Sequence, residues 1–121
     1  MIDEMELKKL HLQDPISVRL GNLASSVKRL GFLILSKKPD RVVFQLFQEC
    51  NLFSVWTSFD VTSEVETELH ALQLDLKSWE GNFQSLNGDD LWRAKIAAAC
   101  EKWASRLLGL SGLLKTGLPT T

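Results

Sequence analysis

The chain has 121 residues, 45% of them apolar and 24% charged, with a formal net charge of −1, and this is the length of one domain. A chain of this size buries about two-thirds of its unfolded surface, so a core needs no metal or disulfide staple, and the Leu, Val, Ile and Phe content excludes disorder of the whole. No apolar run reaches the ~18 residues of a membrane span. The acidic opening Met1-Ile2-Asp3-Glu4-Met5-Glu6 lacks the basic start and apolar stretch of a secretory signal, and a cytoplasmic protein is expected.

Residues 1–13 form a lead-in, read either as a short helix docking Ile2, Met5 and Leu10 or as a frayed terminus. Asp14-Pro15 then marks a helix start, with Asp14 as N-cap and Pro15 in the first helical position. Beyond it Ile16, Leu20, Leu23, Val27, Leu30 and Ile34 recur at alternating steps of four and three, the stripe of an amphipathic helix. Phe32, Leu33 and Leu35 add apolar surface on other faces, which predicts that the end of this helix is enclosed by the domain or by a second copy.

Ser36-Lys37-Lys38-Pro39-Asp40 is a break. A second helix over about 40–57 carries Val42, Val43, Leu46, Phe47, Cys50, Phe53 and Trp56 on a wide face. The competing reading is a β-hairpin at 31–47, since both flanks are β-prone and Lys38-Pro39-Asp40-Arg41 suits a type I turn. Asp60 or Thr62 caps the next helix, whose stripe is Val61, Val65, Leu69, Leu72, Leu76, Trp79 and Phe83. After turn residues at 81–88, Asp89 or Asp90 caps the last helix, with Trp92, Ile96, Ala99, Trp103, Leu107, Leu110 and Leu114 on one face. Gly117-Leu118-Pro119 stops it. Four stripes with short connections predict an all-α fold, an antiparallel four-helix bundle of up-and-down type over 14–115, followed by a loose tail at 116–121.

Charge falls in blocks. Within 19–41 six cations stand against Asp40, a net +5, whereas within 42–92 nine carboxylates stand against Lys77, a net −8. Residues 93–121 return to +4, with five cations against Glu101. Alternating blocks of this kind suit attraction between neighbouring helices of one bundle. The absence of an overall basic excess and of helix-turn-helix spacing argues against a nucleic-acid partner.

The chemistry-bearing residues form no catalytic pattern. Position 67, three before His70, is Thr and position 8, three before His11, is Lys, so the Glu-x-x-His of di-iron bundles is missing. Glu66 and His70 share a helical face, a spacing read as an exposed ion pair. There is no phosphate-binding glycine loop and no GxSxG elbow. Cys50 and Cys100 read as buried thiols rather than a disulfide, Cys50 lying on the apolar face of its helix. No metal ligand set and no cofactor is assigned. Trp79, Trp92 and Trp103 lie on core stripes, while Trp56, beside Phe53 and Phe59, reads first as core and otherwise as a candidate contact surface together with Phe44.

The segments Arg19-Leu20-Gly21-Asn22-Leu23-Ala24-Ser25, Leu52-Phe53-Ser54-Val55-Trp56-Thr57-Ser58, Glu68 to Trp79 and Trp103 to Leu114 resemble a set of short, all-helical cyanobacterial proteins of no assigned activity. The resemblance covers about 19–114 and implies a bacterial, photosynthetic-cell setting; it brings no catalytic residues. The expected function is a non-enzymatic interaction or adaptor module that self-associates, with Phe44, Phe53, Trp56 and Phe59 as its contact residues. The alternative is a bundle binding a small molecule or pigment in a pocket lined by Phe47, Phe53, Trp56 and Trp79. A third reading is an enzyme built around Glu64, Glu66, His70 and Asp75, which requires a cleft that gathers these groups.

Overall fold

The computed structural model describes residues 3–112. Five helices occur in order: α1 (Glu4–Gln13), α2 (Ile16–Leu35), α3 (Asp40–Ser58), α4 (Ser63–Leu86) and α5 (Asp90–Ser111). No strand occurs among the described residues, so the hairpin reading of 31–47 is overturned. Residues 31–35 finish α2 and 40–47 begin α3. Local hydrogen bonding explains the outcome. The Lys38 N–H donates to Leu33 O at 3.1 Å and the Lys37 N–H to Ile34 O at 3.3 Å, which closes α2 in a Schellman turn. Lys37 takes φ 55° to do so, and Pro39 then opens α3.

The lead-in is a helix, and its docking face differs from the expected one. Asp3 caps it, accepting from the Glu6 N–H at 2.8 Å. Met5 is 82% and Leu10 49% exposed, while Leu7, His11 and Leu12 turn inward. Ile2 lies outside the described residues. Asp14, expected to cap α2, instead ends α1: its N–H donates to His11 O, and Pro15 holds the N-cap position of α2 without a side-chain cap. Unbroken hydrogen bonding through Gln13 moves the boundary by one residue.

Thr62 caps α4 and Asp89 caps α5, each one of the two candidates at its boundary. The core is drawn from α2, α3, α4 and α5, with α2 central and its most extensive contact to α5. Leu20, Leu23, Val27, Leu30 and Ile34 of α2 are buried, as are Leu69, Leu72, Leu76, Trp79 and Phe83 of α4. The face of α5 is rotated from the expected stripe. Arg93, Ala97, Cys100 and Ala104 are buried beside Ile96, Trp103 and Leu107, whereas Trp92, Ala99 and Leu110 are only partly covered. The cause is close approach to α2: a Cβ on Gly31 would lie 2.8 Å from Cys100 Cβ and 3.3 Å from Ala97 O. Only small side chains fit along that line. Leu114, the stop at 117–119 and the tail at 116–121 lie outside the described residues.

Two arginines join the elements. Arg19 of α2 donates through Nε to Asp14 O at 2.8 Å and through Nη2 to Leu12 O at 3.1 Å, and pairs through Nη1 with Asp60 Oδ2 at 2.7 Å. It thereby satisfies carbonyls at the end of α1 and ties them to the α3–α4 connection. Arg93 of α5 is buried; it donates to Ile34 O at the end of α2 and to Asn87 O at the end of α4, and lies over the Phe83 ring.

Candidate functional site

Of the four expected contact residues, Phe53 and Trp56 are brought together, ring centroids 6.0 Å apart, while Phe44 and Phe59 lie toward opposite ends of α3. Phe44 is half-buried and packs edge-on against Phe83, ring centroids 5.4 Å apart. Phe53 and Trp56 are buried under α1: the His11 ring stacks on Phe53 at 4.4 Å and 14°, and lies 5.9 Å from Trp56. Phe59, beyond the end of α3, is 80% exposed. Fifteen residues of helix separate Phe44 from Phe59, about 22 Å, so they do not share one patch.

His11 completes the α1–α3 junction. Its Nε2 shares a 2.8 Å hydrogen bond with Thr57 Oγ1, and Thr57 is fully buried. Nδ1 is buried without a partner. Burial, followed by the Arg19 cation, holds the imidazole below its ordinary pKa, and Asp14 opposes them. The sequence held a hint of this arrangement: Asp3-x-x-Glu6 is a helix-opening pattern, and Leu7 and His11 stand four apart on one face. Nothing local distinguished a buried imidazole from an exposed one.

A second feature lies where α2 ends and α5 begins. Phe32 is 61% exposed, Leu35 55% and Leu91 79%. The Lys37–Asp90 ion pair at 2.7 Å sets Leu91 at the same end of the helix pair as Phe32 and Leu35. The expectation of an enclosed α2 terminus is not met within the single chain. Leu33 alone of the three added residues is partly covered, at the wall of a groove.

That groove, about 670 Å³, runs between α1, α2 and α3. Leu7, Leu33, Val42, Leu46 and Leu52 line it, with Arg29 and Glu49 among its polar residues. Glu49 accepts a 2.8 Å hydrogen bond from Ser26 Oγ. The aromatic residues expected to line a pocket are placed elsewhere: Phe47 is fully buried against Phe44 and Phe83, and Trp79 is buried in the core.

The groups of the enzyme reading are not gathered either. Glu64 and His70 are exposed, and His70 makes no ion pair with Glu66 among the described residues. Asp75 accepts from Trp103 Nε1 at 2.8 Å. Among the described residues no three His, Cys, Asp or Glu side chains converge as metal ligands would. Both cysteines are free and buried. Burial pushes the Cys100 thiol up to about 12 and that of Cys50 higher still, which suppresses the nucleophilic thiolate. No described helix is long and apolar enough to cross a membrane. No family model, curated protein or solved structure matches the chain.

Proposed function

We propose that this chain is a non-enzymatic helical interaction or adaptor module that self-associates as a dimer. The observation that carries the reading is the exposure of Phe32 and Leu35, three apart on one face of the last turns of α2, together with exposed Leu91 in the first turn of α5. Exposed apolar side chains at one end of a helix pair gain by desolvation against a second copy, and a two-fold dimer lets the same end of each copy meet the other. Self-association would provide the enclosure that the all-round apolar end of α2 calls for.

The proposal takes the long helices as an antiparallel, up-and-down four-helix bundle, with α1 as an added strap. It is supported by paired contacts whose numbers run in opposite directions: Arg19 with Asp60 and Ser26 with Glu49; Asn87 with Asp40 and Phe83 with Phe44; Trp103 with Asp75 and Arg106 with Glu68. A cytoplasmic setting in a photosynthetic bacterium belongs to the same proposal, on the resemblance of its helical segments alone.

Sedimentation equilibrium at micromolar concentration tests the dimer. The wild-type chain is expected to sediment as a dimer, and Phe32→Glu combined with Leu91→Lys as a monomer with unchanged helical circular dichroism. A wild-type monomer across that range sinks the reading.

The groove between α1, α2 and α3 favours one alternative, binding of a slender small molecule with an apolar body. The apolar part of its lining is aliphatic and carries no aromatic ring, so the ligand body is held by desolvation rather than by aromatic stacking. An apolar fluorescent probe that binds the wild type and is lost on Leu46→Asp supports it; equal binding to both rejects it.

A further inference from the structure

We propose that α1 is an acid-released strap: His11 holds it on α3 while the imidazole is neutral, and uptake of a proton undocks it and uncovers Phe53 and Trp56.

Geometry carries the argument. α1 rests mainly on α3, and His11 is the side chain of α1 that is fully inserted, 4% exposed. One ring nitrogen is engaged with Thr57 and the other, Nδ1, has no partner. A neutral imidazole tolerates one silent nitrogen. An imidazolium has two N–H donors, and the second would be buried with no acceptor and a full charge on the ring.

The charged groups facing the ring are Arg19 from α2 and Asp14 from the α1–α2 connection. α3 presents Phe53, Trp56 and Thr57, none of them charged. Arg19 places a second cation nearby, itself paired with Asp60. Burial and Arg19 therefore both oppose protonation, and Asp14 offsets them only in part.

The direction of the pH dependence follows. The docked ring titrates below the released ring, whose ordinary value is about 6.5. Docking is at full strength above that value and weakens as pH falls below it, down to the lower pKa of the docked ring. Each unit of separation permits up to about tenfold in the docking equilibrium.

The chain beyond the strap stays folded, because α2 to α5 supply the hydrophobic core without α1. The strap neither covers nor includes Phe32, Leu35 and Leu91, so its release is independent of the proposed dimer.

Hydrogen exchange of the α1 amides, corrected for the intrinsic pH dependence of exchange, tests the strap at about pH 7.5 and about pH 5.5. Wild-type α1 protection is expected to fall at least about threefold, with α4 and α5 unchanged and Trp emission shifted to the red. His11→Gln and His11→Phe, neither of which takes up a proton, are expected to lose the response. The NMR titration of the His11 ring is expected to coincide with the wild-type change, which keeps the wild type decisive even where a variant fails to dock. Constant α1 protection, an equal loss in all helices, or the same response in both variants would overturn the proposal.

Discussion

Lys37 and Arg93 both act on the end of α2, and each yields a separable expectation. Lys37 occupies the left-handed position of the Schellman turn at φ 55°, where a side chain is strained and glycine is not. Lys37→Gly is expected to raise stability by about 1 kcal/mol in urea unfolding, less whatever the exposed Lys37–Asp90 pair contributes. Arg93 has the opposite character. It is 6% exposed and donates to two carbonyls that end helices. Arg93→Met is expected to cost about 2–4 kcal/mol, since it strands Ile34 O and Asn87 O and removes the cation over Phe83. Arg93→Lys should recover only part of that loss, because an ammonium lacks the planar fork that reaches both acceptors. The sequence shows Arg93 only as one of five cations in a basic segment; its burial becomes visible once the ends of α2 and α4 are brought beside α5.

The pairing of α2 with α5 turns on Gly31. A methyl group there would sit 2.8 Å from Cys100 Cβ, and the helix backbone on the far side cannot yield easily. Gly31→Ala is expected to destabilise by about 1–3 kcal/mol, although Ala is the better helix former. Gly81 in α4 is the control, since a Cβ there meets nothing within 4 Å; Gly81→Ala should stabilise by about 0.5–1 kcal/mol. Chemical denaturation of the two variants in parallel checks both signs. Asp89 accepts from the N–H groups of Leu91 and Trp92 at 3.0 and 3.1 Å, and its replacement by Ala should cost about 1 kcal/mol. These elements were unequally legible. The stripes of α2 and α4 read correctly, save that Val61 precedes α4, because large apolar side chains mark their buried faces. The face of α5 was misread because Ala and Cys, weak markers of burial, line the closest contact. The contact residues of α3 were legible as apolar, but which of them α1 covers was not.

Across the whole molecule, the three described ion pairs each join a cation of a basic block to a carboxylate of the acidic middle: Arg19 to Asp60, Lys37 to Asp90 and Arg106 to Glu68. The blocks thus serve bundle assembly in the way their order implied, though as exposed or half-exposed pairs they contribute little individually. The two thiols report on the integrity of the interior they share. Cys50 and Cys100 are fully buried, and a thiol reagent at neutral pH should label the native chain at least about 100-fold more slowly than the urea-unfolded chain. Fast labelling of the native chain would mean that α2, α3 and α5 separate readily. By itself the order of apolar, capping and breaking residues determined that the chain is helical, where most helices begin, and which faces of α2 and α4 turn inward, because these depend on periodicity and hydrogen bonds within a few residues. Only the tertiary structure decided that α1 lies over Phe53 and Trp56 through His11, that Arg93 is enclosed, and that Gly31 sets the spacing of α2 and α5. Each of those depends on a neighbour distant in the chain, whose packing changes a residue's environment without leaving a mark in the local pattern.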